Sequence, residues 1–238
     1  REMAATGMQP VGVAELDPER LSVASQDFPG IGQFREVASL LQEARPDLVA
    51  IITPHNTHAE LALQCLEGGA AVVCEKPMAL TVAECDQMIA KANEKNLLLS
   101  VYHNRHWDGC ILEARERIVD KGEIGRVFRM EAQWGGFAHP RDWWRSSQRI
   151  SGGVHYDWGV HLLEYAFQLI GSEAVEVSAM TARGHWETTW GEDTNDDELS
   201  AMVRFANGVL LNLRVTHVDA DPEPSLLVAT GTAGKYYM

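Results

Sequence analysis

Between residues 10 and 100 the chain alternates short apolar runs with amphipathic stretches. No other feature constrains the fold as much. Leu48–Thr53 is a continuous apolar run with no alternation, the text of a strand buried on both faces. Ala71–Cys74 and Leu97–Val101 read the same way, and Val11–Glu15 is a strand candidate ahead of them. Helical spacing covers Pro18–Gln26, Glu36–Ala44 and His58–Glu67, with Gly68-Gly69 as a stop. Thr81-Val82-Ala83-Glu84 is a capping box that opens a helix to about Lys95. Strands and helices in this order predict a parallel α/β sheet with right-handed crossovers. Ligands bind such sheets at the carboxyl ends of the strands. Glu15, Thr53, Glu75-Lys76 and His103-Asn104 all fall there.

After about residue 104 the pattern changes. A helix is expected over Trp107–Asp120, then a strand over Gly125–Trp134 with Phe128, Met130, Ala132 and Trp134 on one face. Residues 153–170 read as a helix. Leu199, Ala201, Val203 and Phe205 alternate up to an Asn207-Gly208 turn, and Val209, Leu211, Leu213 and Val215 alternate beyond it, which predicts a hairpin. Half-buried alternation suits a largely antiparallel open sheet, covered on one face by helices and open or used for association on the other. The acidic, irregular stretch Trp186–Asp197 is expected to be exposed. The division is drawn at residues 1–103 and 104–238. Arg1–Gly7 reads as the end of a helix and the last residues as interrupted strand text, so the expectation is a fragment cut at both ends.

A formal net charge of -14 argues against broad nucleic-acid binding, which needs basic surface. The four cysteines form no CxxC pair, and three sit in apolar helix or strand patterns, which fits buried thiols and a reducing, cytoplasmic compartment. No apolar run reaches the roughly 18 residues of a membrane span.

Two stretches carry the chemistry. Lys76, in Cys74-Glu75-Lys76-Pro77, follows a buried strand, and Pro77 restricts its backbone. A lysine there can stabilise an oxyanion or can simply be ion-paired. Gly152-Gly153-Val154-His155-Tyr156-Asp157-Trp158-Gly159-Val160-His161 places Asp157 and His161 four apart, on one face if the segment is helical. The histidine can act as a base near neutrality and the carboxylate can orient it, or the two can form a surface ion pair. Arg141, Trp143, Trp144 and Arg145 form an aromatic-basic cluster that suits a polyol or sugar acid, or a packed loop. Glu15 at a strand end can accept bonds from an adenosine ribose and repel a 2′-phosphate, or be a turn residue. Thr53-Pro54-His55-Asn56-Thr57-His58 can touch a cofactor or form a capped connection. The Gly30-x-Gly32 and Gly231-x-x-Gly234 pairs read as turns. His103, His106, His155, His161 and Asp157 raise a metal site, but neither HExxH nor a compact zinc spacing is present, so no metal is expected.

Taken together, Thr53-Pro54-x-x-x-His58-Ala59-Glu60, Cys74-Glu75-Lys76-Pro77-Met78-Ala79-Leu80-Thr81, His103-Asn104-Arg105 and Gly152-Gly153-x-x-x-Asp157-x-Gly159-Val160-His161-Leu162 resemble the Gfo/Idh/MocA family of NAD(P)-dependent oxidoreductases over nearly the whole chain. The resemblance implies a Rossmann domain followed by an α/β domain whose open sheet often forms an oligomer interface, here a homodimer or homotetramer. It implies Lys76, Asp157 and His161 as the catalytic set. It makes Glu15, Thr53, Asn56, His58, Glu75, Lys76 and Asn104 the cofactor contacts, with NAD favoured over NADP by Glu15. Arg141, Trp143, Trp144, Lys76, Asp157 and His161 are then the substrate contacts. The expected reaction is oxidation of a secondary alcohol on a sugar, polyol or related small molecule. The family's phosphate loop has no counterpart in this sequence. A non-catalytic dinucleotide-binding sensor or subunit is the alternative, and a metal-dependent isomerase or hydrolase the third.

Overall fold

The computed structural model describes residues 7–238. The chain forms two compact units, one holding residues up to Thr53 with Thr57–Tyr102, the other Pro54–Asn56 with His103–Met238. The helix end expected over Arg1–Gly7 lies, apart from Gly7, outside the described residues.

In the first unit, β1 (Gly12–Ala14) pairs in parallel with β2 (Gly32–Phe34), and helices α1 (Pro18–Asp27) and α2 (Val37–Glu43) follow these strands. Strands β3 (Leu48–Ile51), β4 (Ala71–Glu75) and β5 (Leu99–Tyr102) form a second parallel sheet with Ile51 beside Cys74 and Cys74 beside Val101. The crossovers are α3 (His58–Glu67) and α4 (Val82–Lys95). Both sides of the α4 capping box form: Glu84 N–H donates to Thr81 Oγ1, and Glu84 Oε2 accepts from Thr81 N–H at 2.9 Å. Asn96 ends the helix in the left-handed region. Ala62, Cys65 and Leu66 of α3 and Met88 of α4 bury against Ile51, Val72 and Cys74. Each fully buried Leu or Met side chain contributes about 1.5–3 kcal/mol.

Burial on both sheet faces is a correction. Ala50 and Ser100 are exposed and Ile52, just past β3, is 77% exposed. The α3 and α4 side chains pack on the face of Ile51, Val72 and Cys74. An unbroken apolar run therefore does not by itself prove two covered faces. Gly32 is also corrected, since it begins β2 and only Gly30 (φ 89°) belongs to the turn.

The second unit opens with α5 (Gly109–Arg115), which continues as a π-helical turn over Glu116–Asp120. Then come β6 (Val127–Gly135), the short helix α6 (Gln148–Ser151), α7 (Gly159–Ile170), β7 (Ala174–Ala182), β8 (Glu198–Phe205), β9 (Leu210–Thr216), β10 (Leu227–Gly231) and β11 (Lys235–Tyr237). The six strands form one sheet in the order β11-β10-β6-β9-β8-β7. Only the β6–β9 pair is parallel. Leu162, Tyr165, Ala166 and Leu169 of α7 pack on Met130, Val203, Phe205, Leu211 and Val215. The opposite face carries Met180 and Met202, 76% and 53% exposed, among ion pairs such as Arg204 with Glu176. No helix among the described residues is long and apolar enough to cross a membrane.

Two expectations fail here. Asp157 is not on a helix: residues 154–156 form a 3-10 turn, Asp157 follows it, and α7 starts at Gly159. Gly152 (φ 90°) and Gly153 (φ 129°) force that irregular entry. A Cβ on Gly153 would lie 2.9 Å from the His155 ring. The acidic loop is not exposed throughout either. Asn195, Asp196 and Asp197 are buried at 9%, 5% and 2%, because each has a partner. Asn195 Nδ2 donates to Ser151 Oγ at 2.9 Å, Arg183 Nε to Asp196 at 2.5 Å, and His185 N–H to Asp197 at 2.8 Å.

Candidate active site

The carboxyl ends of the first unit's strands hold four of the expected contacts. After β1, Glu15 Oε1 accepts the amide N–H groups of Leu16 and Asp17 at 2.7 and 3.0 Å, and its Oε2 lies 3.5 Å from Arg20. After β3, Thr53 and Thr57 share a hydroxyl bond of 2.7 Å. At the end of β4, Glu75 Oε2 accepts the Lys76 amide at 3.1 Å, and Lys76 itself is half-buried. This edge of carboxylate, hydroxyl and ammonium groups fits a nucleotide's ribose and amide functions.

His58 is a correction. Its ring is 0% exposed, with Nδ1 2.8 Å from the Pro77 carbonyl and Nε2 3.0 Å from the Thr53 carbonyl. It has no surface to offer a cofactor. Instead it ties the segment after β3 to the segment after β4, where Thr53 and Lys76 sit.

In the second unit a cavity of about 120 Å³ lies where β6, β9 and the entry to α7 meet. Trp134, Trp143, Arg145, Asp157, Asn195 and His217 are among its walls. Trp134 stacks on Trp158, ring centres 4.7 Å apart and planes 10° apart. The Arg145 guanidinium lies 4.6 Å from the Trp143 ring and 4.3 Å from that of Trp144, and 3.5 Å from Asp157 Oδ1. Stacking and the ion pair together hold that planar cation in one orientation. The aromatic-basic cluster is therefore real for Trp143, Trp144 and Arg145. Trp144 makes a T-shaped contact with His55, ring centres 4.7 Å apart, and is not among the cavity walls. Arg141 lies exposed, its N–H donated to His139 Nδ1 at 3.0 Å. Asn56 and Asn104 are exposed on short 3-10 turns.

His161, in the first turn of α7, is 4% exposed. Its Nδ1 is 3.1 Å from His103 Nε2, and its ring centre is 5.6 Å from that of Trp158, itself a wall of the cavity. Arg105 lies 4.5 Å over the Trp158 ring and bonds Asp108 at 3.1 Å, while Tyr165 donates to the same Asp108 oxygen at 2.9 Å. Among the described residues no group of three or more His, Cys, Asp or Glu side chains could hold a metal ion.

Burial pulls both His155 and His217 below the ordinary histidine value. It outweighs the opposing field of Asp196 at the first and of Asp197 and Asp157 at the second. Folded-state values below the unfolded value of about 6.5 mean that these rings stabilise the fold when neutral. That stability is fully present above pH about 6.5 and is lost as pH falls through the lowered folded values. Calorimetry over a pH series is expected to show the melting temperature falling as the solution is acidified below that point. His217→Gln is expected to flatten the fall.

Trp134, Trp158, Asn195, Asp196 and His217 were not singled out by sequence reasoning as site residues. They come from chain positions far apart, and only Trp158, inside the Asp157-x-Gly159 motif, carried a local hint.

The first unit carries parallel nucleotide-type sheets, and the second an open mixed sheet with an aromatic cavity beside it. The NAD-binding Rossmann oxidoreductase description of the GFO/IDH/MocA family matches residues 2–103, and that family's C-terminal domain description matches residues 111–237. The chain belongs to the GFO/IDH/MocA family. It is similar to the scyllo-inositol 2-dehydrogenase (NADP(+)) IolW of Bacillus subtilis, 29% identical over 178 residues that make up 74% of this chain and 49% of that protein. An uncharacterised oxidoreductase of Schizosaccharomyces pombe is 33% identical over 63% of this chain and 41% of its own length. Among solved structures, an NAD-binding protein from Listeria innocua matches with a TM-score of 0.84 at 29% identity, covering 94% of this chain and 64% of that one. A levoglucosan dehydrogenase in complex with NADH and levoglucosan matches with a TM-score of 0.80 at 25% identity, over 95% of this chain and 63% of that one. The chain spans about half the length of the curated relatives it matches.

Proposed function

We propose that the protein is a dehydrogenase that oxidises a secondary alcohol of a sugar, polyol or related small molecule with NAD. The observation that carries the reading is His161, a buried imidazole whose Nδ1 is bonded to His103 and whose ring lies beside a wall of the tryptophan-lined cavity. An imidazole near such a cavity can take a proton near neutrality. Residues 1–103 bind the dinucleotide through Glu15, Thr53, Glu75 and Lys76, and residues 104–238 bind substrate and associate.

A bound nicotinamide ring supplies the acceptor for the carbinol hydride. The protein supplies the rest. His161 takes the hydroxyl proton, Lys76 stabilises the alkoxide-like oxygen, and Asp157 orients the substrate or the histidine. Trp134 and Trp143 offer apolar faces to ring carbons, while Arg145 offers donors to hydroxyls. Glu15 favours NAD, because a carboxylate repels a 2′-phosphate. Asn56 and Asn104, both exposed, complete the cofactor contacts. The open sheet face with Met180 and Met202 is the association surface of a homodimer or homotetramer. Four free thiols suit a cytoplasmic location.

The test is absorbance of the reduced nicotinamide, with the complete natural protein, NAD or NADP, and a panel of inositols and sugars. Turnover with NAD and at least one polyol is expected. Tight binding of cofactor without turnover on any member would replace the enzyme by a dinucleotide sensor. A strong NADP preference would overturn the role given to Glu15.

A further inference from the structure

The inward row of β9 is Leu211, Leu213 and Val215, all buried and apolar, and the next position on that row is His217. The inward row of β6 runs Met130, Ala132 and then Trp134. Trp134 and His217 make a T-shaped contact, ring centres 5.8 Å apart, in the wall of the second unit's cavity. The His217 backbone is held on both sides. Its N–H donates to the Asp197 carbonyl at 2.8 Å, and its carbonyl accepts from Ala138 N–H at 3.1 Å and Trp186 Nε1 at 3.0 Å. The other charged, hydroxyl and amide side chains of the wall are engaged: Arg145 with Asp157, Asp196 with Arg183, Asn195 with Ser151, and Ser146 with the Arg141 carbonyl. Among the described residues none hydrogen-bonds a ring nitrogen of His217, and both nitrogens keep accessible surface. A polar ring in an apolar row costs stability unless something bonds it. Burial holds this ring below the ordinary histidine pKa. Near neutrality it therefore carries one donor and one acceptor, the two functions of an alcohol group.

We propose that His217 is a specificity-determining residue whose ring binds a substrate hydroxyl other than the one that is oxidised. The role rests on the reading of this cavity as the seat of a sugar or polyol. Ring contacts lead from His161 to Trp158 at 5.6 Å, from Trp158 to Trp134 at 4.7 Å and from Trp134 to His217 at 5.8 Å. The base and the second hydroxyl contact are the two ends of that series. His217 binds and exchanges no proton in the reaction. The substrate class it selects is an uncharged molecule with at least two alcohol groups. A site built to bond a hydroxyl rejects the analogue that lacks it, so a simple monoalcohol is a poor substrate.

Nitrogen-15 histidine spectra of the complete protein test the contact without turnover. With NADH present, each inositol and sugar of the panel is titrated in, myo-inositol and D-glucose among them, and the signal absent from His217→Gln marks the ring. At least one of these polyols is expected to shift the His217 nitrogens saturably. Unmoved nitrogens with every member would overturn the proposal. Kinetics give a second reading. His217→Phe keeps an aromatic ring beside Trp134 and removes both polar atoms. Its KM for the best polyol of the panel is expected to rise about 10-fold at nearly unchanged kcat. Removing one particular hydroxyl from that polyol should cost the wild type about 10-fold in kcat/KM and cost His217→Phe nothing further. A merely structural role would weaken all monodeoxy analogues alike, and that pattern would overturn the contact. The two levels fail differently. Shifted His217 nitrogens without turnover on any panel member keep the contact and remove the dehydrogenase, whereas turnover with unmoved nitrogens removes the contact alone.

Discussion

Replacing His161 by alanine is expected to lower kcat by about 10²- to 10⁴-fold, the usual contribution of a positioned general base. The loss should fall on kcat and kcat/KM alike, because the proton is transferred only in the transition state. Affinity for the reduced cofactor, measured by fluorescence titration, should stay near wild type. His161 buries little apolar area of its own. Its neighbour Trp158 keeps its packing on Trp134 and Arg105. A variant that kept near-normal turnover would remove His161 from the mechanism. One that lost cofactor affinity in proportion would make its role structural.

The second large effect belongs to Gly135, the last residue of β6. It pairs with Thr216 in the parallel β6–β9 ladder and has φ 152°. A Cβ there would lie 2.0 Å from the Thr216 carbonyl oxygen and 2.7 Å from Thr216 Cγ2. The obstacle is backbone in the middle of a sheet, so no side chain can swing aside. Gly135→Ala is expected to cost about 3–5 kcal/mol, a fall in melting temperature of roughly 10 °C. Because Trp134 precedes it in the cavity wall, whatever folded enzyme remains should bind substrate more weakly. Gly136→Ala is the control: nothing lies within 4 Å of its added Cβ, and no comparable loss is expected.

Much of the fold was legible because particular residues write local rules. Thr81 and Glu84 announce a helix that begins at Val82 and ends at Lys95. Asn207-Gly208 announces the β8–β9 hairpin, and the buried set Leu199, Val203, Leu211 and Val215 marks its inward face. Strand β7 was not foreseen. All nine of its residues are exposed, and the alternation of Val175, Val177 and Ala179 with Glu176 and Ser178 was passed over. Apolar continuity in Leu48–Thr53 overstated burial, since strand text records what one covered face demands and is silent about the second. The place of Lys76 at a strand end and of His161 in a helix was readable from motif and spacing. The pairing of His161 with His103 was not, because it joins residues 58 apart in sequence. The loop Asn195–Asp197 looked solvated from its charge, yet ion pairs and amide donors bury it beside the cavity.

The most direct measurement is a crystal structure of the complete protein with nicotinamide cofactor and a polyol that it oxidises. The reacting hydroxyl oxygen is expected within hydrogen-bond reach, about 2.6–3.2 Å, of His161 Nε2. A turned-over substrate seated with that oxygen beyond water-bridged reach of His161 would contradict the account.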